Sequence, residues 1–234
     1  MRYRRGKRAD PFIALSQSED CLASPRIVVV RHAESEHHIR RLSGGWTDTP
    51  LTELGQLQAA AVAARLAREV AGPVRLYRSD LKRAAETAAP IAAALGIEAV
   101  PDWRLREHNN GAAIDLTVDE MLARFPQKPF PHPPDHRPFP GGETAREFRA
   151  RVTSFMDELV LDERPTILVT HGGTLRPLIA CWLGLDDETV ARIGFPSHVT
   201  GITVLTVGWH GMREVERMND VGHLLGMPGY VSVG

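Results

Sequence analysis

The stretch Ile27-Val28-Val29-Val30-Arg31-His32-Ala33-Glu34 constrains this chain more than any other. A short, wholly apolar run rich in β-branched residues suits a strand buried on both faces of a parallel sheet. Such strands belong to layered α/β folds, where ligands sit just beyond the carboxyl ends of the strands. The run stops at an arginine and a histidine, so both fall at that rim. Arginine offers a rigid cationic fork for an anion; histidine offers a nucleophile or a proton carrier near neutral pH. The pattern recurs. Thr166-Ile167-Leu168-Val169-Thr170-His171-Gly172-Gly173 is another apolar run ending in a histidine, and an apolar helix pattern follows. Either histidine alone reads as a structural residue. Two at equivalent strand ends read as parts of one site.

The rest of the chain alternates helix and strand patterns. A loop rich in Gly, Ser, Thr and Asp runs from Ser35 to Pro50. A helix is predicted from about Thr52 to Val70, with Leu54, Leu57, Ala61 and Ala64 on one face, ended by Gly72-Pro73. Val74 to Tyr77 reads as a strand. Ser79-Asp80 then caps a helix to about Leu95, closed by Gly96. That places Arg83 in the first turns of a helix, where free N–H groups and the dipole favour a phosphate. Residues 97–107 read as extended, ending in Arg106-Glu107, and a short helix follows at 117–125. The proline-rich segment 126–142 excludes helix and central strand and reads as a lid or binding loop. Its His132, His136 and Arg137 are candidates to meet a second charged group, or are solvated. A helix from Glu143 to about Asp162 buries Phe148, Val152, Phe155, Met156, Leu159 and Val160. A helix from Thr174 to Leu183 and strands near 201–208 and 212–217 complete the pattern.

Composition narrows the partners. A net charge of −1 over 234 residues argues against a general nucleic-acid binder, so any anion site is local. No apolar stretch approaches the roughly 20 residues of a membrane helix. The two cysteines, Cys21 and Cys181, pair by no motif, which fits a reduced cytoplasmic compartment. Residues 1–25 carry Arg2, Arg4, Arg5, Lys7 and Arg8 and read as a loosely ordered basic arm. A nucleic-acid or membrane-contacting tail, or a start placed too far upstream, are the other readings of it. Residues 26–234 read as one domain.

Arg31, His32, Arg83, Glu107 and His171 are the candidate site. Two arginines and two histidines at one rim make an anion pocket, and arginine's fork matches phosphate oxygens. A glutamate beside it can donate a proton to a leaving oxygen. The motifs Arg31-His32-Ala33-Glu34-Ser35, Gly45-Trp46-Thr47-Asp48-Thr49-Pro50-Leu51-Thr52, Ser79-Asp80-Leu81-Lys82-Arg83, Leu105-Arg106-Glu107, Gly141-Gly142-Glu143-Thr144 and Val169-Thr170-His171-Gly172-Gly173 occur in this order between about residues 26 and 208. In order and spacing the chain resembles the histidine phosphatase superfamily, branch 1. The resemblance implies a phosphoglycerate mutase-like three-layer α/β/α sandwich with a mostly parallel central sheet. It implies His32 as the phosphate-accepting nucleophile and Glu107 as general acid and base. Arg31, Arg83 and His171 hold the phosphoryl oxygens, with His38 and Gly172 beside them. No metal and no cofactor is implied.

The chain departs from its relatives at four places, one being His108-Asn109-Asn110-Gly111-Ala112-Ala113-Ile114-Asp115, near which many phosphatase members carry an aromatic-acidic-glycine stretch. Ala33 replaces the commoner glycine. His38 stands where many members have an asparagine, and Gly44 where mutases have a threonine hydroxyl. The expected function is hydrolysis of a small phosphorylated metabolite, with a homodimer allowed and neither nucleic acid nor membrane as partner. A phosphoglycerate-type mutase is the alternative within the fold. A non-catalytic phosphate- or phosphoprotein-binding module is the alternative outside it. A metal hydrolase built on His32, His37, His38 and His171 is disfavoured, because adjacent histidines make poor ligands for one ion.

Overall fold

The structure, a computed structural model, describes residues 25–126 and 132–227. The basic arm up to residue 24, Cys21 with it, and part of the proline-rich segment lie outside the described residues. Among the described residues six strands form one sheet: β1 (Arg26–Arg31), β2 (Arg75–Arg78), β3 (Ala99–Pro101), β4 (Thr166–Thr170), β5 (Ile202–Val207) and β6 (Arg213–Asp220). Their spatial order is β3-β2-β4-β1-β5-β6. The pairs β1–β4, β4–β2 and β2–β3 are parallel, while β5 runs antiparallel to both β1 and β6. The two runs that end in histidine are therefore nearest neighbours, with Arg31 opposite Thr170.

Alternation along β1 explains the layers. Ile27 and Val29 point to one face and pack with Leu168, Phe155 and Trp182. That face is covered by α5 (Ala145–Glu158) and α6 (Gly172–Leu183). Val28 and Val30 point to the other and pack with Val62, Leu66, Ala88 and Ile91. The covering helices there are α2 (Glu53–Glu69) and α3 (Lys82–Leu95). The fold is the expected three-layer α/β/α sandwich around a mostly parallel sheet. The shorter helices α1 (Glu36–Ile39), α4 (Val118–Arg124) and α7 (Asp187–Val190) lie in the connections. No described helix is long and apolar enough to cross a membrane.

Several local expectations change. The buried face of α2 is Gly55, Ala59, Val62, Ala63 and Leu66, and Leu57 is exposed. An alanine-dense helix is apolar on more than one face, and its packing against α3 selects the smaller side chains. Ser79 and Asp80 do not cap α3, whose N-cap is Leu81. Ser79 Oγ bonds His171 instead, and Asp80 pairs with Arg106. Of residues 97–107 only the span of β3 is strand; a 3-10 turn at Trp103–Leu105 follows, begun by Asp102 accepting the Arg104 N–H. Helix α5 stops at Glu158, so Val160 is exposed. The Ser35–Pro50 loop contains α1, four residues long. Thr52, Thr117 and Thr144 cap their helices as side-chain acceptors.

Candidate active site

The parallel β1–β4 pair sets the floor. The His32 backbone N–H donates to Thr170 O at 2.8 Å, which continues the ladder one residue past the strand. His32 and His171 therefore leave adjacent strands together, with ring centroids 5.1 Å apart. His32 Nδ1 lies 2.7 Å from Ala33 O, an acceptor only, so Nδ1 carries the proton. Nε2 then holds a lone pair, and Arg83 Nε donates to it at 3.2 Å. Burial, reinforced by Arg83, His171, Arg31 and His38, holds the His32 imidazole well below the usual histidine range. It is neutral at pH 7, as a nucleophile must be.

Arg83 reaches this ring from the first turn of α3. Its other nitrogens donate to Thr47 O at 2.6 Å and Gly45 O at 2.7 Å, so the loop carbonyls fix the plane of the guanidinium. Burial lowers its pKa to about 10, which leaves the charge intact at neutral pH. Gly45 makes this possible. It adopts φ 59°, and a Cβ there would fall 1.9 Å from Asn110 Oδ1. Arg31 is held from the other side by the Ser197 carbonyl and by His38 Nε2 at 2.9 Å. Its Nε is buried with no protein partner.

His171 is buried under the rim and is the N-cap residue of α6. Its Nε2 lies 2.8 Å from Ser79 Oγ, and Ser79 Oγ also receives the Leu81 N–H at 3.3 Å. We assign the Ser79 hydroxyl proton to His171 Nε2, which leaves the imidazole proton on Nδ1, an atom without a partner. Two buried groups that lack acceptors, Arg31 Nε and His171 Nδ1, thus flank His32. Buried donors are rarely left unpaired, and an anion would satisfy both.

Glu107 closes the opposite side. Its Oε1 accepts the His108 N–H and its Oε2 the Gly173 N–H, each at 2.8 Å. The carboxylate occupies the space a side chain at Gly173 would need, since a Cβ there would lie 2.1 Å from Oε1. Trp46 Nε1 and Arg151 hold the Glu107 carbonyl at 2.8 and 3.0 Å, and Arg151 is itself paired with Glu143. These residues enclose a cavity of about 580 Å³ lined by Arg31, His32, His38, Arg83 and Glu107, among others.

Two of the expected positions sit differently. His171 lies beneath the cavity, and Gly172 lies behind Arg31, its Cβ position 3.4 Å from Arg31 Nε. Gly172 instead lines a second cavity. His37, named above only for the disfavoured metal site, is buried against the first cavity and lies tilted against His38 with centroids 3.9 Å apart. The empty space at Gly44 faces it, with a Gly44 Cβ position 3.8 Å from His37 Nε2. Nitrogens of His32, His37 and His38 lie within 4.8 Å of one another, so α1 does bring adjacent histidines to one point. The geometric objection to a metal there is corrected. The electrostatic one remains, because the Arg31 and Arg83 guanidiniums touch His38 and His32 directly. Burial and the neighbouring cations hold His37 near pKa 3 and His38 near 4. Fixed positive charge and neutral imidazoles around one cavity suit a phosphate-like anion.

The model of the histidine phosphatase superfamily, branch 1, matches residues 27–221. The chain is 34% identical over 173 residues to a probable phosphoglycerate mutase GpmB of Yersinia pestis (strain Pestoides F), covering 72% of this chain and 79% of that one. A solved mycobacterial glucosyl-3-phosphoglycerate phosphatase superposes with a TM-score of 0.71 at 28% identity, covering 84% of this chain and 99% of that one. A putative alpha-ribazole-5'-P phosphatase from Escherichia coli shares the fold at TM-score 0.68 and 22% identity, over 84% and 97% of the two chains. Fold and rim define a histidine phosphatase-type α/β protein. The chain belongs to the histidine phosphatase superfamily, branch 1.

Proposed function

We propose that the chain is a metal-independent hydrolase of a small phosphomonoester that works through a phosphohistidine on His32. One observation carries this reading. His32 presents a neutral Nε2 lone pair at the floor of a cavity walled by two guanidiniums, with a carboxyl group across from it. In the first step Nε2 attacks phosphorus, the ester P–O bond breaks and a P–N bond forms. The Glu107 carboxyl gives its proton to the departing alkoxide. In the second step Glu107 takes a proton from water, the hydroxide oxygen bonds phosphorus and the P–N bond breaks. Arg31, Arg83 and the His171 Nδ1–H neutralise charge on the equatorial oxygens, and His38 Nε2 positions Arg31. Positioning and charge neutralisation supply most of the rate in phosphoryl transfer, and splitting the displacement makes each half easier.

The mutase reading draws on Gly45-Trp46-Thr47-Asp48, Leu51-Thr52 and the GpmB-like relative. The outer wall of the cavity weighs against it. Leu42, Val118, Met121 and Phe139 line it, a poor setting for a phosphoglycerate carboxylate, although Arg41 stands at its edge. The test is to quench the enzyme with phosphate-labelled ester. An acid-labile, base-stable label is expected on the wild-type chain and none on His32→Ala. A His32→Ala chain that labels and turns over normally would overturn the mechanism. Isomerisation of 2- and 3-phosphoglycerate with their bisphosphate, faster than phosphate release, would favour the mutase.

A further inference from the structure

A second cavity, of about 480 Å³, lies on the far side of Gly173 and His108, residues that also line the first. Its size falls in the range of small-molecule sites. It is built where α6, α5 and α7 begin or end and the proline-rich segment crosses them. Phe148, Phe195, Pro133, Pro134, Pro138 and Pro177 supply flat apolar faces. Two arginines stand in the wall. Arg149 pairs with Asp187 at 2.8 Å, and Arg176 donates to the Val190 carbonyl. Arg137, a candidate for a second charged group, is bound to Glu147 at 2.7 Å and does not line the cavity. His132 and His136 do line it, their rings tilted against each other with centroids 4.7 Å apart.

The position relative to the chemistry is specific. In-line displacement puts the leaving oxygen opposite His32 Nε2, within reach of Glu107. The Glu107 carboxylate is bonded to the Gly173 N–H, and Gly173 is shared by both cavities. The Glu107 carboxylate fills the space a side chain at Gly173 would take, so it stands at the edge the two cavities share. A substituent carried on the leaving oxygen is thus delivered to the shared edge of the two cavities.

We propose that the second cavity is the leaving-group subsite, and that the substrate is a phosphomonoester of a ring-bearing alcohol. Aromatic and proline faces favour a flat ring. The proposal rests on the phosphohistidine reading above.

The test compares benzyl phosphate with ethyl phosphate and 3-phosphoglycerate, all alkyl esters, by phosphate release. A ring seated in an apolar cavity is expected to raise kcat/KM for benzyl over ethyl phosphate by on the order of a hundredfold. Ala191→Trp, placed in the wall of the second cavity, is expected to erase that preference while ethyl phosphate turnover stays unchanged. If Ala191→Trp fails to fold, Phe195→Ala serves, with an expected drop of about tenfold for benzyl phosphate only. Equal kcat/KM across the esters, with normal labelling of His32, would overturn the subsite and leave the mechanism standing. A ring preference that survives both variants would also overturn it. Absence of labelling and of release from every ester would overturn the phosphohistidine reading, and the subsite with it.

Discussion

Gly173→Ala isolates the acid role proposed for Glu107. A Cβ at 173 would lie 2.1 Å from Glu107 Oε1, 2.9 Å from Cδ and 3.1 Å from Oε2. Ordinary contact needs roughly 3.4 Å, so the carboxylate must withdraw by about 1 Å or swing away. Misplacement by that amount costs about a hundredfold, and general acid catalysis as a whole is worth about 10²–10⁴. The loss must depend on the leaving group. An alkyl phosphate expels an alkoxide that needs the proton, so kcat/KM is expected to fall about a hundredfold. A p-nitrophenyl ester expels a stable phenolate, and its kcat/KM is expected to fall only a few-fold. The residue lies in the first turn of α6 with ordinary helical backbone, where alanine is no worse a helix former than glycine. A melting curve close to wild type therefore accompanies the kinetic loss. Equal losses on both esters, or none on either, would refute the assignment of Glu107 as the proton donor.

Three further outcomes are expected. His37→Ala should weaken inhibition by inorganic phosphate about tenfold, if His37 fills the place left open at Gly44; an unchanged inhibition constant would remove it from the site. Stability should fall as pH drops from about 6.5 to about 4. The unfolded chain protonates its histidines near 6.5, whereas burial, with Arg31 for His38 and Arg65 for His223, keeps each of these near 4 and His37 near 3. The unfolded state then binds more protons, with a slope of up to about 1.4 kcal/mol per pH unit for each such histidine. Urea midpoints at pH 5 and pH 7 check this, and equal midpoints would contradict it. Chelation with EDTA should leave turnover unchanged, since Arg31 and Arg83 take the place metal ions hold in other phosphoryl-transfer sites; activity lost on chelation and restored by a divalent ion would count against this.

Much of the site was legible because strand ends are legible. An apolar run that stops at a charged residue marks both a strand and its rim, so Arg31, His32 and His171 could be placed before any coordinates. Arg83 followed from the same logic one helix later. Contacts between side chains that cross from one connection to another were not legible. Ser79 looks like a helix cap in sequence, and only the position of His171 recruits it elsewhere. The α2 face was misjudged because alanines carry little facial signal, and the partner helix decides which of them are buried. His37 entered only the metal reading, because its place at the anion cavity depends on the glycine at 44, and an absence of atoms leaves no periodic trace in a sequence.

The pairing of β1 with β4 has a kinetic consequence. His32 and His171 belong to neighbouring strands but to distant parts of the chain, and the Arg31–Thr170 register sets their spacing. Slippage by one residue would shift the rings by about 3.3 Å along the strand and turn one of them to the other face. No local fragment can bring the two rings together. During refolding, helical signal should return on the fast timescale of local structure, while turnover waits for closure of the loop between the two strands. Regained activity thus serves as a clock for the slowest long-range event in the assembly of this sheet.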